Sequence, residues 1–362
     1  MSRSVKSEAQ KQARRRLSYI DPQNCGKVLA KPAYWTVEFL ELYLDRCDEL
    51  AFHTPADGWA LGQHAATLAG RIRADGGPSE FADDNAKRSA RVIAASVQGS
   101  CARANAKLAD AERWFRFSGS LAAEGKITPR AFCEFLRRSA ALKACLYTED
   151  AEESLIQAVK TAERFEEKPN LADALVCMGM YYGTQKRGGV ELLARGLALA
   201  DPKTPRGRRT LQGAVINMAK GSIRAGDFES AAAWLKTAKR GLARLETSLQ
   251  KLRVSWLEAY FSGMLGSTRY ATRNLEKIRH QFLTLESSAD YLLCTFDLIE
   301  ILLNEGADQE IREILAEIKT DEAQDIEGPL MAEIHSWYSE PAMADRQKMK
   351  IVLANKLQAQ SL

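Results

Sequence analysis

The sequence predicts an all-α protein of about 12–14 helices. Apolar residues recur at spacings of three and four from Tyr34 onward, which is the period of an amphipathic helix. A β-strand would show alternating apolar and polar residues next to a turn such as Asn-Gly or Asp-Gly. The sequence has Asp57-Gly58, but no alternating run lies beside it. Helix-forming residues dominate, and the prolines stand in apparent connections. No proline occurs between Pro205 and Pro329, so this stretch can alternate helices with short turns throughout.

The N-terminal segment, residues 1–33, is strongly basic. It carries eight Lys and Arg against two acidic residues, a net charge of +6, whereas the whole chain has a net charge of +4. Residues 34–362 are therefore nearly neutral, at −2, which disfavours a uniformly basic nucleic-acid-binding body. Residues 11–16 form a basic cluster that could contact phosphate or an acidic partner, and no secretory signal follows it. We expect residues 1–33 to form a flexible, solvated tail.

Composition places the chain among soluble folded proteins, with 46% hydrophobic and 27% charged residues. No stretch approaches the ~18 uninterrupted apolar residues of a membrane span, so no membrane partner is predicted. The seven cysteines are scattered and form no CxxC pair, which argues against a disulfide framework or a zinc knuckle. A reducing cytoplasm fits this usage best.

Motifs for catalysis and cofactor binding are missing from the sequence. Residues 183–189 are rich in glycine but match neither GxxxxGK[ST] nor GxGxxG, so we interpret them as a turn between helices. Neither HExxH nor GxSxG occurs, and the four histidines make a His-rich metal site difficult to build. The sequence therefore predicts a non-enzymatic protein with no catalytic residue, cofactor or metal site.

A repeat with a period of about 40 residues marks the C-terminal half of the chain. Each unit has a helix of three to four turns that ends at a glycine, which relieves the strain of a left-handed helix cap. A small or apolar residue follows five positions later, where two helices must approach closely. The glycines are Gly226, Gly266 and Gly306, and the residues that follow them are Ala231, Ala271 and Ile311.

This pattern resembles the tetratricopeptide repeat. The best match lies within residues 212–238 and consists of Ala219, Gly226, Phe228, Ala231, Leu235 and Ala238. The resemblance covers roughly residues 34–320, most specifically 211–320, although its longer period leaves armadillo/HEAT-like helix pairs as an alternative. It implies a right-handed α-solenoid of stacked antiparallel helix pairs over 34–326, with capping helices at 327–362. Elongated repeats of this kind are similar to those of bacterial regulatory and signalling proteins.

The resemblance also implies a partner-binding groove on the first helices of the repeats. Its residues in the three best units are Ile216, Asn217, Lys220, Arg224, Arg253, Trp256, Tyr260, Phe296 and Glu300. We expect Trp256 and Tyr260 to form an aromatic floor, with basic residues from the preceding repeat as a wall and Glu300 as an acidic edge. Aromatic anchors beside hydrogen-bond donors suit recognition of a peptide. The alternative is that Trp256 and Phe296 are core residues between adjacent helix pairs.

A second basic segment precedes a predicted helix. Four cations lie close together in a Pro/Gly-containing loop, and they are Lys203, Arg206, Arg208 and Arg209. Such a loop could bind phosphate or an acidic segment of a partner. The alternative is a solvated loop between repeats.

Three functions are compatible with these observations. The first is a non-catalytic scaffold or regulatory module that binds a protein or peptide partner in its groove. The second is a receptor of a bacterial signalling or defence system, in which a peptide or small ligand closes the helical array. The third is RNA binding, which only Arg224, Arg253 and Trp256 suggest. Otherwise only the basic tail would contact nucleic acid.

Overall fold

The computed structural model describes residues 3–73, 81–146, 148–184, 189–242 and 248–320. These ranges hold seventeen α-helices, one short 3-10 helix and no strand, which confirms the all-α prediction. The helices outnumber the expected 12–14 because the part of the chain before Arg73 contains several short ones. The predicted capping helices at 327–362 lie outside the described residues. In the part of the chain that is described, no helix has both the length and the apolar character required to cross a bilayer.

The chain divides into two compact units, and the division falls inside the range predicted as one array. Unit 1 comprises Met1–Leu142 and Lys160–Asn170, and unit 2 comprises Lys143–Val159 and Leu171–Leu362. The first helices of unit 1 are α1 (Arg3–Leu17), α2 (Cys25–Leu29), α3 (Val37–His53), α4 (Pro55–Gly62), α5 (Ala65–Arg71), α6 (Asp84–Ala104) and α7 (Leu108–Ala123). Three helices have residues in both units, namely α8 (Pro129–Leu146), α9 (Ala151–Arg164) and α10 (Lys168–Thr184).

Unit 2 continues as a series of helices that pack against their neighbours in sequence. They are α11 (Val190–Leu199), α12 (Pro205–Ala225), α13 (Phe228–Leu242), α14 (Ser248–Met264), α15 (Thr268–Thr284), α16 (Ser288–Glu305) and α17 (Asp308–Thr320). Helix α12 packs on α13, α14 on α15, and α15 on α16. First helices also contact one another, since α14 touches both α12 and α16.

Helix α3 organises the core of unit 1. The Thr36 hydroxyl caps its start by accepting a hydrogen bond from the backbone N–H of Phe39 at 3.3 Å. Apolar residues at helical spacing then face α4 and α6, and the fully buried Tyr43 donates its hydroxyl to the carbonyl of Leu61 at 2.6 Å. On the polar side of the helix, Asp48 pairs with the buried Arg138 guanidinium at 2.6 Å.

The basic N-terminal segment differs from the expected flexible tail. Residues 3–17 form helix α1, which packs on α3, and Ala13 is only 1% exposed. Cys25 and Leu29 of α2 are also buried, and Trp35 donates its indole N–H to the carbonyl of Leu29 at 3.0 Å. Small and apolar residues at helical spacing therefore give the segment a buried side. Its three consecutive arginines stand in the last turn of α1, where the helix dipole favours cations.

The turns of the repeat confirm the predicted role of the glycines. Gly226, Gly266 and Gly306 have φ angles of 75°, 91° and 74°, which is the left-handed region. At Gly226 the N–H bonds to the carbonyl of Ile223, and the next N–H bonds to that of Ser222. This pair of hydrogen bonds satisfies two carbonyls that a helix end otherwise leaves open.

The small residues after the glycines lie at helix contacts, as predicted. Ala231, Ala271 and Ile311 are all 0% exposed and belong to the main core of unit 2. A Cβ atom added at Gly263 would lie 2.9 Å from Cβ of Ala271 and 2.4 Å from Cδ1 of Ile301. Helices α14, α15 and α16 therefore approach closely at this level.

Candidate functional site

The sequence-predicted groove residues come together on the first helices α12, α14 and α16 of unit 2. We call this surface the first-helix face. Asp297 on α16 is fully buried and pairs with two cations of α12. Lys220 Nζ lies 3.1 Å from its Oδ2 atom, and Arg224 Nη2 lies 3.3 Å from its Oδ1 atom. Charges far apart in the chain thus join the first and third helices of the face.

The predicted aromatic floor is wrong, because its residues are core residues. Trp256 is 5% exposed, whereas Tyr260 and Phe296 are both 0% exposed. The Trp256 ring packs edge-on against Phe282 at 5.8 Å, and Lys220 Nζ lies 4.3 Å from the Trp256 ring centroid. Neighbouring helix pairs cover these rings, which supports the alternative that the sequence left open.

Burial changes the ionisation of this cluster. It lowers the pKa of Lys220 to about 8, although the Asp297 carboxylate opposes the shift. It raises the pKa of Glu300, and the neighbouring Asp297 raises it further. Tyr260 donates its hydroxyl to Oε2 of Glu300 at 2.8 Å. The face therefore contains a connected polar network beneath a partly exposed rim.

The rim of the first-helix face consists of half-buried residues from the predicted groove. They are Ile216, Asn217, Arg224, Arg253 and Glu300. Arg253 pairs with Asp290 at 2.7 Å, and the Asn217 amide donates to the carbonyl of Gly213 at 2.7 Å. Five of the nine predicted groove residues are thus partly exposed.

The predicted basic loop is largely the first turn of α12, which begins at Pro205. Arg206 pairs with Asp173 at 2.7 Å, and Arg208 donates to the carbonyl of Lys203 at 3.1 Å. Lys203 and Arg208 are exposed, and Arg209 is half-buried. Arg206 thus already has a carboxylate partner in unit 2, and binding of phosphate or an acidic segment by the loop stays a prediction.

One group of possible metal ligands occurs among the described residues. Glu276, His280 and Glu317 place one ligand atom each within 4.8 Å of one another. The buried Arg279 guanidinium donates to both carboxylates, at 2.6 Å to Glu276 and at 2.5 Å to Glu317. A cation of the chain therefore already occupies the position between these carboxylates.

Unit 1 contains a groove of about 720 Å³ that the sequence analysis missed. It is lined by Trp59, Gln63, Ala66, Thr67, Gly70, Arg91, Gln98, Asp110, Arg113, Trp114 and Phe117. One signal for it exists in the sequence. The buried side of α7 contains Ala111, Phe115 and Ser118. Trp114 and Phe117 do not share that spacing, so they form an apolar pair on the other side of the helix.

Comparison with known proteins shows a likeness of fold. No family profile matches the chain, and no curated protein matches its sequence. Among solved structures, a Rap protein complexed with competence and sporulation factor is similar, with a TM-score of 0.60 and 14% sequence identity. The match covers 90% of this chain and 89% of the Rap chain. The chain therefore has a tetratricopeptide-like helical-repeat fold, similar to that of the Rap protein.

Proposed function

We propose that this chain is a non-catalytic regulatory module that binds a protein or peptide partner on the first-helix face of unit 2. The observation that carries the proposal is the convergence of Lys220, Arg224 and Asp297 across the face, with Glu300 beside them. Helical repeats bind partners on surfaces where equivalent positions of successive repeats align. The proposal places the protein in a cytoplasm, as the cysteine usage suggests, and in a bacterium, as the resemblance to elongated repeats implies.

The rim, rather than the aromatic residues, supplies the contacts to the partner. Arg224 and Glu300 are partly exposed polar groups, and Asn217 presents a side-chain amide that can bond to a polypeptide backbone. Ile216 adds a half-buried apolar contact. The buried network beneath holds these side chains in place, because Arg224 pairs with Asp297 and Glu300 accepts a hydrogen bond from Tyr260.

The second candidate is a receptor whose binding of a partner depends on a peptide or small ligand. The similar Rap protein was solved as a complex with competence and sporulation factor, which favours this class. Lys220 Nζ and Trp256 Nε1 are also buried without a hydrogen bond of good geometry among the described residues. A ligand that supplied acceptors to these donors would favour a rearranged face. RNA binding gains no support, since Trp256 is buried and Arg253 pairs with Asp290.

Site-specific crosslinking tests the proposed face. The photoreactive amino acid p-benzoylphenylalanine replaces Asn217 on the face in one chain and Tyr270 in a control chain. Tyr270 lies on the second helix α15 and is 60% exposed, so it samples a different surface. We expect one defined partner to crosslink in native cells at position 217 and not at position 270.

Titration with the purified partner completes the test. Asn217→Arg places a bulky cation on the rim and should weaken binding about tenfold or more, while Tyr270→Arg should leave the affinity unchanged. Addition of cell-derived peptides to the same titration separates the two candidates, because only a receptor changes its affinity for the partner when they are present. Equal crosslinking at both positions would contradict the proposal.

A further inference from the structure

We propose that the groove of unit 1 is a binding site for an aromatic carboxylate, a ligand with a flat apolar ring next to an anionic group. The site is separate from the first-helix face and does not depend on its function. Three features of the groove carry the inference. They are its architecture, its aromatic wall and its one uncompensated cation.

Helix α6 forms the floor of the groove, and it packs against α4 and α5 as well as against α7. Arg91 and Gln98 are two turns apart on α6 and so share one face of it. On the α4–α5 side, the lining includes small residues such as Ala66 and Gly70. A Cβ atom added at Gly70 would meet nothing within 4 Å, so this side of the groove is open.

The wall formed by α7 is aromatic and accessible. Asp110, Arg113, Trp114 and Phe117 follow the spacing of one helix face, and this face is turned away from the core of the unit. Trp114 and Phe117 meet edge to face, with ring centroids 5.7 Å apart, and Phe117 is 39% exposed. Trp59 contributes a third ring from α4. Rings arranged in this way offer edges and faces against which a further ring can pack.

The charges of the groove select an anion. Arg113 is neutralised by an ion pair with Asp110 one turn earlier. Arg91 is half-buried and makes no ion pair or hydrogen bond through its guanidinium among the described residues. Within the part of the chain that the structure describes, the lining therefore carries one positive charge without a counter-charge. A guanidinium binds a carboxylate through two parallel hydrogen bonds, whereas it repels a cationic ligand.

Gln98, the other polar residue of the groove floor, has a structural role. The Gln98 amide donates to the carbonyl of Gln63 at 2.9 Å and accepts from the N–H of Ala66 at 3.4 Å. It stabilises the connection between α4 and α5 and leaves Arg91 as the anchor for the ligand. The volume of about 720 Å³ is within the range of roughly 300–1,000 Å³ typical of ligand sites. Both a free aromatic acid and the carboxyl terminus of a peptide ending in an aromatic residue have the required chemistry.

Fluorine NMR of the full chain provides a site-specific test. The chain has 6 tryptophans, and 5-fluorotryptophan labels all of them. Trp59→Phe and Trp114→Phe assign the two signals from the groove, and the core residue Trp256 is the internal control. The probes are 3-phenylpropionate, its neutral amide 3-phenylpropanamide and the cation 3-phenylpropylamine. We expect the acid to shift the signals of Trp59 and Trp114 saturably, the amide to bind about tenfold more weakly, and the amine to cause no shift.

Substitutions of Arg91 test its role as the residue that binds the carboxylate of the ligand. Arg91→Gln should weaken binding of the acid about tenfold, and Arg91→Lys should have an intermediate effect because it keeps the charge without the planar fork. The matched control is Arg116→Gln, which removes an exposed arginine of α7 outside the lining and should bind the acid as the wild type does. Unchanged signals of Trp35 in unit 1 and Trp256 in unit 2 show that each variant is folded.

A titration with a peptide distinguishes a free aromatic acid from the carboxyl terminus of a polypeptide. If acetyl-Gly-Gly-Phe with a free carboxyl terminus binds about tenfold more tightly than 3-phenylpropionate, the natural ligand is the end of a polypeptide. Similar affinities indicate a free aromatic acid, and both results support the site. Equal binding of acid, amide and amine, wild-type affinity in Arg91→Gln, or shifts confined to other tryptophans would overturn the proposal.

Discussion

At the residue scale, backbone angles reveal which residues other than glycine adopt the strained left-handed conformation. Ala106, Glu166 and Glu286 have φ angles of 58°, 55° and 52°, and each ends a helix in the same way as the repeat glycines. The N–H of Glu286 bonds to the carbonyl of Leu283, and the next N–H bonds to that of Phe282. The hydrogen-bonding pattern of the turn therefore sets this conformation, and glycine only makes it less costly.

Glu286→Gly is expected to raise the free energy of unfolding by about 0.5–1 kcal/mol. The left-handed conformation costs a residue with a Cβ atom about 1–2 kcal/mol, and the greater freedom of glycine in the unfolded chain offsets part of the gain. The Glu286 side chain is exposed, so little else is lost. Denaturant titration measures the change, and Gly226→Ala should show the opposite sign. A less stable Glu286→Gly variant would contradict this account.

Lys220 is expected to make stability depend on pH in the alkaline range. Its pKa is about 8 in the folded protein and near 10.5 when the chain is unfolded, so between these values the unfolded chain binds more protons. Stability therefore rises with pH across this window, by about 1 kcal/mol per pH unit at most from this residue. Urea titrations at pH 7.5 and 9 should show the rise in the wild type relative to Lys220→Met. A parallel response of both proteins would exclude the effect.

At the element scale, helix contacts depend on small residues at fixed places. Ala231→Leu and Ala271→Leu should each destabilise the protein by about 1–3 kcal/mol, because both positions are fully buried and have no room for a larger side chain. Ala232→Leu, at an exposed position of the same helix as Ala231, is the matched control. Thermal melting compares the three variants. If the buried and exposed substitutions have the same effect, the predicted register of the repeat is wrong.

Helix α1 provides a second test at this scale. Ala13→Glu would bury a charge at a position that is 1% exposed, so we expect a loss of about 1–3 kcal/mol of stability. Gln12→Glu adds the same charge at the exposed neighbouring position and should be nearly neutral. A flexible tail would tolerate both changes equally in a chemical-denaturation experiment, whereas a packed helix would not.

At the scale of the whole molecule, two large hydrophobic cores of the described residues belong to different units. One core consists of residues between Ile223 and Leu315, and the other of residues between Ala13 and Cys101. Local opening follows cooperative units of structure, so a defect in one core affects the amides around it first.

Hydrogen exchange tests this separation of the cores. Ala271→Leu should accelerate exchange of the core amides of α12–α17 about fivefold or more, while the amides of α3–α7 retain their wild-type rates. Mass spectrometry of peptic fragments gives both rates in one experiment, with Ala232→Leu as the control. Uniform acceleration along the chain would mean that the units open together.

Much of this fold could be predicted because its signals are local. The spacing of apolar residues at three and four positions identifies helices without knowledge of their neighbours. Gly226, Gly266 and Gly306 mark helix ends for an equally local reason, since a left-handed cap is a property of one residue. The regular period of the repeat then follows from pairs of helices of similar length and predicts the close contacts at Ala231 and Ala271.

The roles of the site residues depended on contacts between distant parts of the chain. Trp256 and Tyr260 have the spacing of a groove floor, but neighbouring helix pairs cover them, and no local pattern distinguishes the two outcomes. Lys220 appeared to be an available cation until folding placed it against Asp297, which lies on a helix much later in the chain. The groove of unit 1 likewise exists because α4 and α7 both flank α6. Helix formation follows from neighbouring residues, whereas burial and ion pairing follow from which helices meet.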